Sequence, residues 1–406
     1  MNIALLHYSV HPIVGGVESV ITHHARLMAA DGYSIRLIAG RGEAMNEQIP
    51  LFTIPLADSR HPRVAEMKVQ LDRGEATRDF ESLRDELVEQ LQNALSDVDV
   101  LIAHNVCSLN KNLALTAALH QLHTTKKLPH LILWHHDLAW TTSRYRSELY
   151  DDYPWNLLKT AWPNAAQVTI SEMRQHELAD LIKIDKSQIA VIPNGVDINK
   201  FFKLEEQTEG YVKRLGLLAA NPLLLLPVRI TPRKNIELAL HVLAHLRKHF
   251  ANAQLVVTGP LGPHNPANKT YFNKLTTLRQ QLGLSKSAHF LAELTDEYLS
   301  DAVIFDFYRL ADALFLPSRE EGFGIPILEA GLASIPIFCS NIPPLLELGG
   351  NHAIYFSPDE DPEKVCSLLI ENITANLVLG MKAYIRSNYT WDRVYATKIA
   401  PMLNSS

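Results

Sequence analysis

Short apolar runs alternate with helix-patterned stretches from one end of the chain to the other, and that alternation admits few folds. Strands separated by helices pair in parallel, because each helix carries the chain back to the starting edge. Strand candidates in the first half are residues 2–8, 34–39, 99–104, 130–135, 167–170 and 189–193. In the second half they are 223–228, 254–259, 288–292, 313–317, 336–339 and 353–356. Between the first two, Val17, Val20, Ile21, Leu27 and Met28 recur at three-to-four spacing and Gly32 closes the helix. Further helix patterns fall at about 235–249, 268–282 and 326–333. The expected fold class is α/β, with two doubly wound units in series.

A chain of 406 residues exceeds what one hydrophobic core normally serves. The break belongs near Pro193-Asn-Gly-Val-Asp-Ile-Asn-Lys-Phe-Phe202, followed by the charged, pattern-poor stretch 205–214. Residues 60–86 mix acids and bases and read as one solvated, charged helix. From 376 to 404 the pattern is helical, with Trp391, Val394, Tyr395 and Ile399 on one face.

With 47% hydrophobic and 20% charged residues the chain is no disordered segment, and a net charge of −6 gives nonspecific nucleic-acid binding no support. Cys107, Cys339 and Cys366 are far apart with no C-x-x-C pair, which suits a reducing compartment. No signal peptide and no run long enough to span a membrane is evident. The expectation is a cytoplasmic protein, with or without a peripheral hold on a membrane.

The most telling segment is Ala313-Leu-Phe-Leu-Pro-Ser-Arg-Glu-Glu-Gly-Phe-Gly-Ile-Pro-Ile-Leu-Glu329: a buried strand, a glycine-rich acidic turn, then a helix starting near Pro326. Seven residues separate Glu321 from Glu329. A carboxylate can accept from the neighbouring hydroxyls of a sugar ring. The amides of Gly322, Phe323 and Gly324, with a helix N-terminus behind them, suit hydroxyl or phosphate oxygens. Together they describe a nucleotide sugar.

Other positions gain meaning beside that one. Gly15 and Gly16 open a helix after the first strand, where a backbone can approach an anion, although a Gly-Gly pair alone is equally a plain turn. Arg229 and Lys234 follow the strand 223–228, where two cations could neutralise a diphosphate or simply line a solvated loop. His136 follows the strand 130–135, beside Asp137, and could bond a sugar hydroxyl or sit structurally beneath a loop. His241, His245 and His249 form a stripe opposite the apolar face of their helix and read as exposed. No metal-binding pattern stands out, so no catalytic metal is expected.

Taken in order, these pieces resemble the retaining glycosyltransferases of family 4. The Glu321–Glu329 block is similar to that family's Glu-x7-Glu signature. Gly-Gly-Val-Glu at 15–18, His-Asp at 136–137, Asn-Gly-Val-Asp at 194–197, Arg229 to Lys234 and Val-Val-Thr-Gly at 256–259 follow the family's order. Asn235 stands where many relatives have glycine. The resemblance implies a GT-B fold, two Rossmann-like domains facing across a cleft. It divides the chain into an acceptor-binding domain 1–196, a nucleotide-sugar-binding domain 197–380 and a helix at 381–406 crossing back to the first. By the same resemblance Arg229 and Lys234 hold the diphosphate, with Gly259 nearby and the Gly15-Gly16 turn assisting. Glu329 takes the ribose hydroxyls. Glu321, with the amides of Gly322, Phe323, Gly324 and Ile325, takes the transferred sugar, and His136 meets it near the reacting carbon. The donor implied is UDP-, GDP- or ADP-linked, and the acceptor a hydroxyl on a sugar, a small polar molecule or a glycolipid. The reaction implied is metal-independent retention in carbohydrate biosynthesis. The aromatic-rich segment 141–163 suits either sugar stacking or core packing. A sugar-nucleotide epimerase, a phosphorylase and a non-catalytic binding protein remain the competing readings.

Overall fold

Every strand pair in the sheets is parallel, in a computed structural model that describes residues 1–261, 266–295 and 297–404. The chain forms two units, one of Met1–Gly195 with Trp391–Ser406, the other of Val196–Thr390.

The first unit holds β1 (Asn2–Ser9), β2 (Ser34–Arg41), β3 (Leu51–Thr53), β4 (Val100–His104), β5 (His130–His135), β6 (Ala166–Thr169) and β7 (Ile189–Val191), in spatial order β3-β2-β1-β4-β5-β6-β7. Side chains alternate across a strand, so the two faces collect different sets. Ile3, Leu5, Leu37, Ile102 and Trp134 pack on one face with Ile21 and Met28 of the helix Gly16–Ala30. Ala4, Leu6, Leu101, Ala103 and Leu133 pack on the other with Leu87 and Leu91 of the helix Arg78–Ala94. Burial on both faces explains why these strands are apolar at consecutive positions. Val394, Ile399 and Leu403 of the return segment join the first of these clusters.

The second unit holds β8 (Leu223–Leu226), β9 (Gln254–Val257), β10 (Ala288–Phe290), β11 (Ala313–Leu316), β12 (Ile337–Ser340) and β13 (Ile354–Phe356), in order β10-β9-β8-β11-β12-β13. Ile236, Ala239, Leu240, Leu243 and Leu246 bury one face of the helix Ile236–His249, and His241, His245 and His249 lie outside that buried set. Both sheets are Rossmann-like. Each reverses strand order once, between β1 and β4 in the first and between β8 and β11 in the second. Ligands in open parallel sheets bind beyond the carboxyl ends of the strands at such a reversal.

Several local expectations change. The short edge strand β3 carries no long apolar run and has no counterpart among the expected strands. Residues 60–86 are no single helix: Pro62–Leu71 and Arg78–Ala94 are separate, with Gly74 between them at φ 82. The stretch 205–214 is ordered as the helix Glu206–Leu215, which buries Thr208, Tyr211 and Val212. The position 381 falls inside the helix Leu377–Asn388, and that helix belongs to the second unit. Arg386 holds it there, donating to Asp312 Oδ1 and Oδ2 at 3.1 and 2.6 Å and to the carbonyls of Leu310 and Ala220 at 2.9 and 2.6 Å. A buried guanidinium is tolerable only when paired and hydrogen-bonded in this way.

The three cysteines are buried and free. Among the described residues no single helix is long and apolar enough to cross a membrane.

Candidate functional site

In the second unit, β8 and β11 lie side by side and release their chains at the same edge of the sheet. After β8 the chain passes Arg229, which is exposed, and makes one turn over Pro232–Lys234. Asn235 ends that turn in the left-handed region at φ 51, and its side-chain amide donates to the Pro358 carbonyl at 2.8 Å. Asparagine tolerates this conformation better than most residues. The Arg319 amide donates to the Arg233 carbonyl at 2.8 Å, so the loops after β8 and β11 are tied together.

That tie brings Lys234 to Glu321. The Lys234 ammonium donates to Glu321 Oε1 at 2.6 Å, and Ser318 Oγ donates to the same oxygen at 2.7 Å. Both charged side chains are more than nine-tenths buried, so each depends on the other for its solvation. Glu329 sits on the helix Ile325–Leu332, and its Oε2 accepts from the Tyr308 hydroxyl at 2.5 Å. Burial, and then Glu329, hold the Tyr308 phenol far above its ordinary range, so it stays a donor. Each glutamate therefore has one oxygen oriented by the protein, and the other makes no hydrogen bond among the described residues.

Gly324 precedes that helix at φ 106, a conformation other residues rarely adopt. The amides of Gly322, Phe323, Gly324 and Ile325 make no bond to backbone carbonyls among the described residues, while Phe323 and Ile325 are exposed. Gly259, after β9, is needed for packing: a Cβ there would lie 2.0 Å from the Val228 carbonyl oxygen and 2.6 Å from the Arg229 nitrogen. The missing side chain thus lets two backbones touch beside Arg229.

In the first unit, Gly15 and Gly16 form the turn between β1 and the helix Gly16–Ala30. The Glu18 carboxylate folds over this turn, with Oε2 2.0 Å from where a Gly15 Cβ would be, and Glu18 Oε1 accepts from Ser9 Oγ at 2.7 Å. The helix N-terminus is already faced by the protein's own anion, which a phosphate would have to displace.

His136 is buried at the carboxyl end of β5. Its amide and that of Asp137 donate to Asn105 Oδ1 at 2.9 and 3.0 Å, and Asn105 itself is left-handed at φ 61. The His136 ring meets His104, Nε2 to Nδ1, at 3.2 Å. His7 Nδ1 donates to the His104 carbonyl at 2.7 Å, and the His24 ring lies 5.5 Å from that of His104. Burial pushes His7 down to about 4 and His24 and His136 to about 3, and lowers His104 strongly, so the cluster is neutral at pH 7.

Lys234, Glu321 and Glu329 are thus gathered in the second unit, with Arg229 on the same loop as Lys234. Ser318, Tyr308, His104, Asn105 and Glu18 are partners that the sequence reading did not single out. Glu18 and Ser318 lie inside motifs that the sequence displays, and His104 ends β4 much as His136 follows the neighbouring β5, whereas Tyr308 and Asn105 carry no such signal. In the segment 141–163, Trp155 and Trp162 are core, while Tyr150 and Tyr153 are exposed. Among the described residues no group of three His, Cys, Asp or Glu side chains is arranged to hold a metal.

Two family models match the chain: "Glycosyltransferase Family 4" over residues 14–200 and "Glycosyl transferases group 1" over residues 211–375. Mannosylglucosylglycerate synthase of Petrotoga mobilis is 27% identical over 379 residues, covering 84% of this chain and 83% of its own. MMP alpha-(1->4)-mannosyltransferase of Mycolicibacterium hassiacum is 25% identical over 372 residues, covering 86% and 83%. Among solved structures, WaaG, a glycosyltransferase involved in lipopolysaccharide biosynthesis, matches at 18% identity over 95% of this chain and 94% of its own, with a TM-score of 0.35.

Proposed function

The chain belongs to the family 4 glycosyltransferases, and from that premise we propose that it is a retaining hexosyltransferase using a nucleotide-diphosphate sugar and a hydroxyl acceptor. The observation that carries this reading is the joined pair of loops after β8 and β11, where Lys234, Glu321 and Ser318 meet while Glu329 is fixed by Tyr308. The free oxygen of Glu329 would accept from the ribose hydroxyls. The free oxygen of Glu321 would accept from the transferred sugar, whose other oxygens would take the amides of Gly322 to Ile325. Arg229 and Lys234 would lie along the diphosphate, and Lys234 would then share its protons between Glu321 and a phosphate oxygen. In the first unit, Gly15 and Gly16 would offer their amides to a phosphate once Glu18 moved aside, and His136 would meet a sugar oxygen as a neutral imidazole. The first unit would take the acceptor.

The bond from the anomeric carbon to the phosphate oxygen breaks as that carbon bonds to the acceptor oxygen on the same face. The acceptor's proton passes to the departing phosphate, which the two cations stabilise. A double displacement would need a carboxylate beneath the anomeric carbon, and both glutamates are assigned to binding. The route is drawn without a metal because Arg229 and Lys234 supply the positive charge. Mannose is the first hexose to test, because the two named relatives are a mannosylglucosylglycerate synthase and a mannosyltransferase.

The protein would be incubated with UDP-, GDP- and ADP-linked hexoses, with and without sugar, small polar and lipid-linked acceptors. Release of nucleoside diphosphate that depends on acceptor, with the α-configured donor giving an α-linked product, is expected. Inverted product would remove the retaining route. Binding without turnover across a wide acceptor panel would favour a sugar-nucleotide-binding protein instead.

A further inference from the structure

The close approach of His104 Nδ1 to His136 Nε2, at 3.2 Å, leaves one question with chemical consequences: which ring owns the proton between them. Both rings are neutral at pH 7, because burial holds both well below the ordinary imidazole range. A neutral imidazole has one N–H and one lone pair. If His136 donated from Nε2, then Nδ1 of His104 would be the acceptor and the His104 proton would sit on its Nε2. That nitrogen is buried and has no hydrogen-bond partner among the described residues. It lies among the rings of His24 and Trp134, whose centroids are 5.5 and 5.3 Å from that of His104. The nearby polar atoms His24 Nδ1 and Trp134 Nε1 are likewise unpartnered. A buried N–H without an acceptor is penalised more than a bare lone pair in the same place. The other arrangement avoids that penalty: His104 carries its proton on Nδ1 and donates to His136.

We propose that His104 is a positioning residue that fixes the proton of His136 on Nδ1 and so makes that ring a hydrogen-bond donor toward a ligand oxygen. The backbone supports the same assignment of roles. His104 ends β4, and the next residue, Asn105, accepts from the amides of His136 and Asp137. Two consecutive residues at one strand end therefore hold the neighbouring strand end, Asn105 through its side-chain oxygen and His104 through its ring. The part concerning the ligand rests on the reading of His136 as a sugar-binding group; the part concerning the proton does not.

The two parts are tested separately. Long-range proton–nitrogen correlation on histidine-labelled protein, with the His136 signals identified by their loss in His136→Gln, reads the tautomer in the ligand-free wild type. The expected result is a protonated Nδ1 and a bare Nε2. A proton on Nε2 overturns the proposal whatever the activity. His104→Leu removes the donor and His104→Asn restores an amide N–H near the position of Nδ1. Loss of about 10- to 100-fold in kcat/KM is expected for the leucine variant, the scale of a misplaced binding group, with most of it restored by asparagine. Equal loss in both variants at matched folded content, or no loss in either, reduces His104 to packing and overturns its positioning role. If no donor is turned over by the wild type, the proposed function fails while the tautomer measurement still decides for or against His104. If the leucine variant does not fold, the wild-type spectrum decides alone.

Discussion

At the scale of single residues, the Lys234–Glu321 pair is the point on which the proposed chemistry turns. With both side chains more than nine-tenths buried, removing the lysine leaves the Glu321 charge with Ser318 alone and, in the proposed reaction, takes one of two cations from the departing diphosphate. Lys234→Ala is expected to lower turnover by ~100-fold or more, the scale of a lost charge-stabilising donor. Initial rates at saturating donor check this, and near-normal turnover would take Lys234 out of the site. Lys234, Glu321 and Glu329 stand out as candidates in the sequence because a cation after one strand and two spaced acids after another are visible without a fold. It could not show that Tyr308 reaches Glu329 across 21 positions, since that contact exists only once the helix Asp301–Leu310 has packed. Nor could it show that Glu18 covers the Gly15-Gly16 turn. A glycine pair advertises room for an anion, and the protein fills that room with its own carboxylate.

At the scale of elements, the strands were readable in proportion to their burial. Leu223 to Leu226 and Ala313 to Leu316 are buried on both faces and declare themselves as continuous apolar runs. β3 is three residues long with one half-buried and two exposed positions, so it carries no pattern to detect. The helix Glu206–Leu215 buries only Thr208, Tyr211 and Val212 and was hidden among charges for the same reason. What holds the elements in register can be tested at Gly259. Its missing side chain lets the chain after β9 rest against Val228 and Arg229, and the atoms a Cβ would meet are backbone, which cannot rotate away. Gly259→Ala is therefore expected to cost about 1–3 kcal/mol, the usual penalty of overpacking, and to slow turnover as Arg229 shifts. Denaturant melts of the variant check the first effect; an unchanged midpoint would mean that the two loops part freely.

At the scale of the whole molecule, the two units differ in what acid does to them and in how the chain closes them. The first unit buries His7, His24, His104, His135 and His136 with their pKa values lowered by loss of solvation, to about 4 for His7 and His135 and about 3 for His24 and His136. Above the unfolded value of about 6.5, both states are neutral and this contribution is fully present. Below it the unfolded chain takes up protons that the folded unit refuses, so stability is lost as pH falls toward 4. The loss is on the order of 2 kcal/mol per such histidine at pH 5. The second unit has His289, lowered to about 4, as its one strongly shifted histidine among the described residues. Calorimetry at pH 7.5, 6 and 5 should show the first unit melting earlier with each step, and an unmoved transition would mean that these imidazoles are not buried neutral. The first unit also depends on the chain's return. Trp391 is 7% exposed, stacks on His23 at 4.8 Å, meets His24 edge-on at 5.6 Å and rests against Gly195, where no Cβ would fit. Beyond it, Val394, Ile399 and Leu403 complete one face of the first sheet. Trp391→Ala is expected to cost about 3–5 kcal/mol, as buried tryptophans do, and to do so on one side only. Amide exchange should accelerate in the helix Gly16–Ala30, which carries His23 and His24, and stay slow in the helix Ile236–His249. Equal acceleration in both helices would show that the return segment stabilises the protein as one cooperative body rather than through the contacts of its own unit.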